Sequence, residues 1–248
     1  RQNTYEIAAA WLACGLDTEK TYFYRQSDIA ETCELSWHLS CFFPYQRLTL
    51  AHSFKDKADR LQDVNAGLFT YPILMAADIL LYDAEIVPVG KDQEQHLEMT
   101  RNFAQRFNHR YGDFFPEPQA FNFGAQLLKV PSLDGAGKMS KSENQMATLY
   151  LADSDDVIRK KVMKAKTDAG PTEPNTPMPD YIQNIFQLMK LVSEESTIQK
   201  FTDDYNNAAI RYGDMKKQLA EDMVKFISPI REKADAIRND EKYLKEVM

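Results

Sequence analysis

Hydrophobic and polar positions alternate between two periods up to about residue 133 and keep only the helical one beyond Leu149. Tyr5, Ala8, Ala9 and Leu12 recur on one side of Arg1 to Cys14, which predicts an amphipathic helix with Gly15 at its C-cap. Thr21 to Tyr24 is rich in strand formers and is read as a strand. Ile29 to Phe42 has a helical pattern, and Lys55 to Leu68 is polar, either mobile or helical. Tyr71 to Tyr82 is a strongly apolar helix with Pro72 suited to its first turn. Ala84 to Val89 reads as a short strand ending at Gly90, and Asp92 to Asn108 as a helix striped by Leu97, Phe103, Ala104 and Phe107. Gln126 to Val130 is a further apolar strand, followed by a loop from Pro131 to Ser142.

In the second half, Asp153 to Asp156 opens a helix that Arg159, Lys160, Lys161, Lys164 and Lys166 close, both ends complementing the helix dipole. Four prolines between Gly170 and Pro179 mark an irregular connection, and Tyr181 to Met248 is helical and highly charged. Helices alternating with short strands predict an α/β class with a parallel sheet over 1–149, followed by an α-helical domain over 150–248.

Composition narrows the function classes. The chain has 248 residues, 44% hydrophobic and 27% charged, which supports an ordinary folded core. A formal net charge of −7 argues against non-specific coating of nucleic acid, though a local basic patch could still meet RNA. Cys14, Cys33 and Cys41 lack metal-ligand or redox spacing and read as buried, reduced thiols of a cytoplasmic protein. No apolar run is long enough to span a bilayer, and the chain opens on a helical pattern instead of a basic-then-apolar leader.

Candidate chemistry lies in three places. The loop Gly135-Ala-Gly137-Lys138-Met139-Ser140-Lys141-Ser142 combines glycines that allow close backbone approach with two lysines that can face one polyanion. It follows a predicted strand, at the edge where open α/β sheets bind ligands. An exposed loop without a ligand would share its composition. In the apolar helix, Asp78 is the only charge among the twelve residues from Tyr71 to Tyr82. A buried carboxylate there needs a partner, either a ligand or an internal arginine or backbone amide. Tyr71, Met75 and Asp78 share one helix face. An indole, with one N–H donor and no acceptor, complements that face. The third place is the turn Val87 to His96, where Gly90 admits a sugar or phosphate, Asp92 either accepts from a ribose or caps the helix, and Gln93 can read polar groups.

The string KMSKS at Lys138 to Ser142 resembles the signature of class I aminoacyl-tRNA synthetases. The run Gly67 to Tyr82 resembles the tryptophan-recognition helix of the tryptophanyl-tRNA synthetases, bacterial type. The resemblance covers nearly the whole chain and continues through Arg101, Arg106, Phe107 and Asn108. The sister tyrosyl enzymes usually carry Gln where Met75 stands here, which favours indole over phenol. The resemblance implies a Rossmann-like catalytic domain, with its KMSKS loop at 135–142, and a helical domain that binds the tRNA anticodon. It implies ATP as substrate with Mg2+, tryptophan and tRNA(Trp) as partners, a homodimer and no membrane association. Catalytic roles fall on Lys138, Lys141 and Lys57, the last on a lysine-bearing segment that also holds Lys55. A solvated charge is the other reading of Lys57. ATP contacts fall on Lys138, Met139 (through its backbone), Ser140, Lys141, Gly90 and Asp92. Tryptophan contacts fall on Tyr71, Met75, Asp78, Ile79, Val87, Val89 and Gln93, with no protein metal ligand. Lys160, Lys161, Lys164 and Lys166 are RNA contacts or a solvated helix face. His96 reads as structural.

The resemblance places Arg1 inside the catalytic domain, after a strand, phosphate-binding turn and HIGH-type motif that family members carry. This chain alone is therefore expected not to form aminoacyl-adenylate at a normal rate, and wild-type activation rates would contradict that. A tyrosyl-tRNA synthetase, another ATP-using nucleotidyltransferase of related fold and a non-catalytic tryptophan-binding paralogue are the competing readings.

Overall fold

A computed structural model describes residues 2–49, 65–121, 130–140 and 144–248, with Asp92 described by its backbone alone. In chain order the first elements are α1 (Gln2–Ala13), α2 (Ala30–Ser40), α3 (Tyr45–Leu48), α4 (Ala66–Leu80), β1 (Ile86–Pro88), α5 (Glu94–Tyr111) and β2 (Gln119–Phe121). Then come α6 (Asp155–Met163), α7 (Asp180–Val192), α8 (Glu195–Asn206), α9 (Tyr212–Asn239) and α10 (Glu241–Val247). Short 3-10 turns stand at Gln26–Asp28, Lys91–Gln93 and Gln145–Ala147. The chain packs as two units, Tyr24–Leu127 and Arg1–Phe23 with Leu128–Met248. Packing thus groups α1 and the Lys138 loop with the C-terminal helices, whereas the expected boundary stood at 149/150.

In the Tyr24–Leu127 unit, α4 begins where the Asn65 side chain accepts the Leu68 N–H at 3.0 Å. That cap starts the helix at Ala66, so Pro72 lies in its interior and not in the first turn as expected. An interior proline loses one helical hydrogen bond. Burial of Pro72, Ile73, Ala76, Ala77 and Leu80 offsets that loss. Ile73, Ala76, Ala77 and Leu80 form one stripe that meets Leu39, Phe43, Phe103, Ala104 and Phe115 in the core. The rings of Phe43 and Phe103 stack at 3.8 Å between centroids. The parallel-sheet expectation holds in the pair β1–β2, with Ile86 opposite Gln119 and Pro88 opposite Phe121. No local signal announced β2; it is a strand because β1 supplies its ladder.

Two other expectations are corrected. Thr21 to Tyr24 joins no sheet among the described residues. Its aromatic side chains find ring partners instead, Phe23 stacking on Trp11 at 5.9 Å and Tyr24 meeting Tyr82 at 5.5 Å. Cys14, Cys33 and Cys41 are free and exposed, not buried. They sit beside the buried stripes of α1 and α2 and not on them. The predicted strand Gln126 to Val130 lies outside the described residues except for Val130, and Lys55 to Val64 lies outside them entirely.

In the second unit, α9 is the spine on which α1, α6 and α7 pack. Ile158, Val162, Ile182, Leu188, Met189, Met215 and Leu219 are fully buried in its core. Each such side chain contributes roughly 1.5–3 kcal/mol of burial. Helix α1 ends as expected, with Gly15 at φ 101 and the Leu16 N–H returning to Trp11 O at 3.2 Å. Lys161, read as an RNA contact or a solvated charge, is neither. It is buried, and its ammonium donates to Asp153 Oδ2 at 2.7 Å and to Thr148 O at 2.9 Å. The period of α6 puts Lys161 beside Ile158 and Val162 on the inner face, so its charge must be paired there. Lys160 and Lys164 are exposed.

Candidate functional site

Helix α4 shows two faces. Its buried stripe leaves Tyr71, Met75 and Asp78 partly exposed on another face, and Ile79 is likewise half-buried. The Gln26 side-chain amide donates to Asp78 Oδ2 at 2.6 Å. Among the described residues, the internal partner of Asp78 is a neutral side-chain amide 52 positions upstream. A neutral donor leaves the carboxylate its full charge, and a carboxylate has about four acceptor sites. Capacity for a ligand N–H remains. Tyr24 and Tyr82 stand near the same carboxylate. The Tyr24 phenol is pushed up to about 12, first by desolvation, then by its hydrogen bond with Tyr82 and by the negative charge of Asp78. It therefore stays protonated and neutral throughout the physiological range. Gln26 and Tyr24 had no signal in the local pattern, because each owes its place to the chain folding back on α4.

Tyr71 stands edge-on to His96, ring centroids 5.7 Å apart, which fits a structural histidine. The strand and turn after α4 are fixed by backbone bonds. Val87 lies opposite Ala120, and the Val89 N–H donates to Phe121 O at 3.1 Å. The Gln93 N–H returns to Gly90 O at 2.9 Å, which turns the chain into α5. Gly90 has φ −75 and ψ 161, an ordinary extended conformation. Any need for glycine there comes from close approach of a partner and not from backbone strain.

The second group of site residues is a hairpin in the other unit. The Ser132 N–H donates to Gly137 O and the Met139 N–H to Val130 O, both at 2.8 Å. Asp134 ties the turn from within, accepting from Ser132 Oγ at 2.7 Å, the Ala136 N–H at 3.0 Å and Asn144 Nδ2 at 3.1 Å. These bonds, led by Ser132, hold its carboxyl below the usual carboxylate range. Met139 packs on the unit's core, and its sulfur accepts the Leu149 N–H at 3.5 Å. The Ser140 carbonyl accepts from Thr148 Oγ1 at 3.1 Å. Lys138 is exposed between these anchors, at an open cavity of about 490 Å³ whose far wall is Asp180, Gln183, Asn184 and Gln187 of α7. The expected backbone contact of Met139 is therefore restricted: its N–H is committed to Val130, which leaves its carbonyl to meet a base. Lys141 and Lys57 lie outside the described residues, as does the side chain of Asp92.

Two glycines set the hairpin's shape, Gly135 at φ 76 and Gly137 at φ 118. At Gly135 a side chain has no room either, since a Cβ would lie 2.7 Å from Tyr181 Cβ. Gly135→Ala is expected to displace the turn and slow any reaction that uses Lys138 by tenfold or more, at a stability cost of about 1–3 kcal/mol. Unchanged kinetics and melting temperature in that variant would show the turn to be free to shift. At Gly137, where nothing lies within 4 Å of a built Cβ, only the backbone conformation resists alanine, and the effect should be smaller.

The sequence model of a family described as tRNA synthetases class I (W and Y) matches residues 1–228. A tryptophan–tRNA ligase of Porphyromonas gingivalis is 52% identical over 249 residues, covering 100% of this chain and 76% of that protein. Its counterpart in Xanthomonas campestris is 42% identical, covering 96% of this chain and 56% of that protein. Among solved structures, tryptophanyl-tRNA synthetase from Campylobacter jejuni, complexed with ADP and tryptophan, superposes with a TM-score of 0.88 at 38% identity. It covers 99% of this chain and 75% of its own.

Proposed function

Starting from the fact that the chain belongs to the class I tRNA synthetases of the tryptophan and tyrosine group, we propose that it serves as a tryptophan–tRNA ligase. It activates tryptophan with ATP and transfers it to tRNA(Trp). The observation that carries the choice of amino acid is Asp78, held by the neutral amide of Gln26 on the face of α4 that also presents Tyr71 and Met75. The names of its relatives point the same way.

The chemistry follows from charge and placement. The tryptophan carboxylate attacks the α-phosphorus of ATP, and pyrophosphate leaves with the electron pair of the broken P–O bond. A ribose hydroxyl at the tRNA 3′ end then attacks the adenylate carbonyl and releases AMP. No protein side chain need act as a nucleophile, so catalysis is positional and electrostatic. Lys138, with Lys141 and Lys57, neutralises the phosphates, and Ser140 and the Met139 carbonyl support the nucleotide. Gly90 and Asp92 meet its ribose. Tyr71, Met75, Ile79, Val87, Val89 and Gln93 line the indole pocket around Asp78. Magnesium would enter with ATP and supply further charge neutralisation at its phosphates, beside Lys138. Helices from residue 150 onward carry the anticodon contacts, Lys160 and Lys164 among them, on a homodimer working in the cytoplasm. The buried Lys161 drops out of that set.

The test is amino-acid-dependent ATP–pyrophosphate exchange, measured with the full-length protein rather than with residues 1–248 alone. Tryptophan alone among the amino acids should support it. Exchange with tyrosine alone would move the chain to the sister specificity, and tryptophan binding with no exchange would favour a non-catalytic paralogue. Lys138→Ala should slow exchange ten- to a hundredfold, the loss of one charge-assisted phosphate contact. The deficit should be read as a fall in kcat/KM for ATP with tryptophan affinity unchanged.

A further inference from the structure

The Lys138 hairpin gets its shape from its own hydrogen bonds, but its position comes from elsewhere in the unit. The turn at Gly135 rests against the first turn of α7: a Cβ built at Gly135 would lie 2.7 Å from Tyr181 Cβ and 3.5 Å from its Cα. Alongside, the Lys166 N–H donates to Leu133 O at 2.8 Å. The Lys166 ammonium lies 5.0 Å from the centre of the Tyr181 ring. The Tyr181 hydroxyl donates to Asp168 Oδ2 at 2.9 Å, and Asp168 is itself fixed by the Gly170 N–H at 2.8 Å. Tyr181 is thus gripped at three points, by backbone contact at its Cβ, by a cation over its ring and by a carboxylate at its hydroxyl. The hairpin leans on it at the turn that precedes Lys138 by three residues.

From this we infer that Tyr181 is a positioning residue for the activation step, setting through Gly135 the place from which Lys138 reaches the ATP phosphates. The inference rests on the phosphate role proposed for Lys138. Tyr181 touches no substrate in this reading. Its effect is mechanical: the lysine stem is long and flexible, so the volume its ammonium samples is set by where the backbone is pinned. The other side of the hairpin is already pinned by Met139 in the core. Alanine at 181 keeps the Cβ that meets Gly135 but removes the ring that holds the Lys166 stem beside the turn, 3.8 Å from a Cβ built at Gly135, so the turn loses the packing on that side. The ring matters more than the hydroxyl, because the bond to Asp168 is exposed to water and contributes little.

The experiment measures ATP and tryptophan dependence of pyrophosphate exchange in Tyr181→Phe, Tyr181→Ala, Lys138→Ala and the Tyr181→Ala/Lys138→Ala double variant, with melting temperatures for all four. Tyr181→Ala is expected to lower kcat/KM for ATP about tenfold with tryptophan affinity within twofold of wild type. Tyr181→Phe should restore it to within about threefold. The double variant should be little slower than Lys138→Ala alone, because Tyr181 acts through the same lysine. Normal ATP kinetics in Tyr181→Ala beside a slowed Lys138→Ala would overturn the inference and leave the function standing. So would multiplicative effects in the double variant. An unslowed Lys138→Ala would remove the phosphate role and the inference with it. Should Tyr181→Ala fail to fold, Tyr181→Phe decides through the same cycle: its small ATP defect must vanish when Lys138 is already alanine, and an additive defect overturns the inference.

Discussion

Replacing Asp78 with alanine is expected to lower kcat/KM for tryptophan in ATP–pyrophosphate exchange by about a hundredfold or more. Two losses combine in that figure: the indole N–H would give up its charge-assisted acceptor, and the Gln26 amide loses its own. Hydrogen bonds to charged groups are worth roughly 1.5–3 kcal/mol, and 2.7 kcal/mol is about a hundredfold. Asp78→Asn keeps an acceptor of the same shape without its charge and should lose about tenfold. A sharper readout is discrimination against an analogue whose ring N–H is replaced by sulfur. Wild-type protein should reject it strongly, because the carboxylate is left facing a group that cannot donate. Asp78→Ala should accept the two rings nearly alike. Wild-type kinetics in Asp78→Ala, or an unchanged preference for the N–H ring, would show that this face does not read the indole.

The second large effect concerns stability. Lys161→Ala is expected to destabilise its unit by about 3–5 kcal/mol, because it strands Asp153 rather than because it removes an attraction. The side chains of Lys161 and Asp153 are 6% and 13% exposed, so water cannot replace the missing partner. The Lys161 ammonium also lies 4.6 Å from the Tyr150 ring and holds the Thr148 carbonyl, so one side chain fixes the segment 148–153. A comparison within the same helix isolates the cause. Arg159 makes a two-pronged pair with Glu221 at 2.8 and 3.0 Å, better geometry than the lysine has. Yet those side chains are 39% and 59% exposed, and solvent screens the charges. Arg159→Ala should therefore cost far less than Lys161→Ala. Thermal melts of the two variants decide the matter. Equal losses, or a larger one at Arg159, would contradict the assignment of the effect to burial.

Much of the candidate site was legible along the chain for a definable reason. The face Tyr71–Met75–Asp78 follows from helical period alone, and so does the buried stripe on the same helix. The hairpin's shape follows from Gly135, Gly137 and the polar residues Ser132 and Asp134 just before them, all within six positions of one another. These signals are local, and local backbone preferences survive whatever the rest of the chain does. Boundaries were less secure where a cap competed with a breaker: Asn65 started α4 a full turn or more before Pro72, against the expectation that proline would open it.

What needed the tertiary structure shares one property, distance along the chain. Gln26 reaches Asp78 across 52 positions, Lys216 donates to Ala165 O across 51, and Tyr181 meets Gly135 from another helix. The strand β2 exists only because β1 supplies its ladder, and Thr21 to Tyr24 joins no described sheet despite a strand-like composition. Lys161 shows the same limit in a single residue. Its neighbours in sequence made a basic helix end, a pattern compatible with RNA or with solvent, while the fold turned that one lysine inward to Asp153. The amino-acid sequence by itself determined which residue types stand together on each helix face and in each turn, hence the kind of ligand they suit. The tertiary structure decided which of those charges are screened by water and which are answered by a partner, because dielectric surroundings and long-range neighbours are set only when the chain closes on itself.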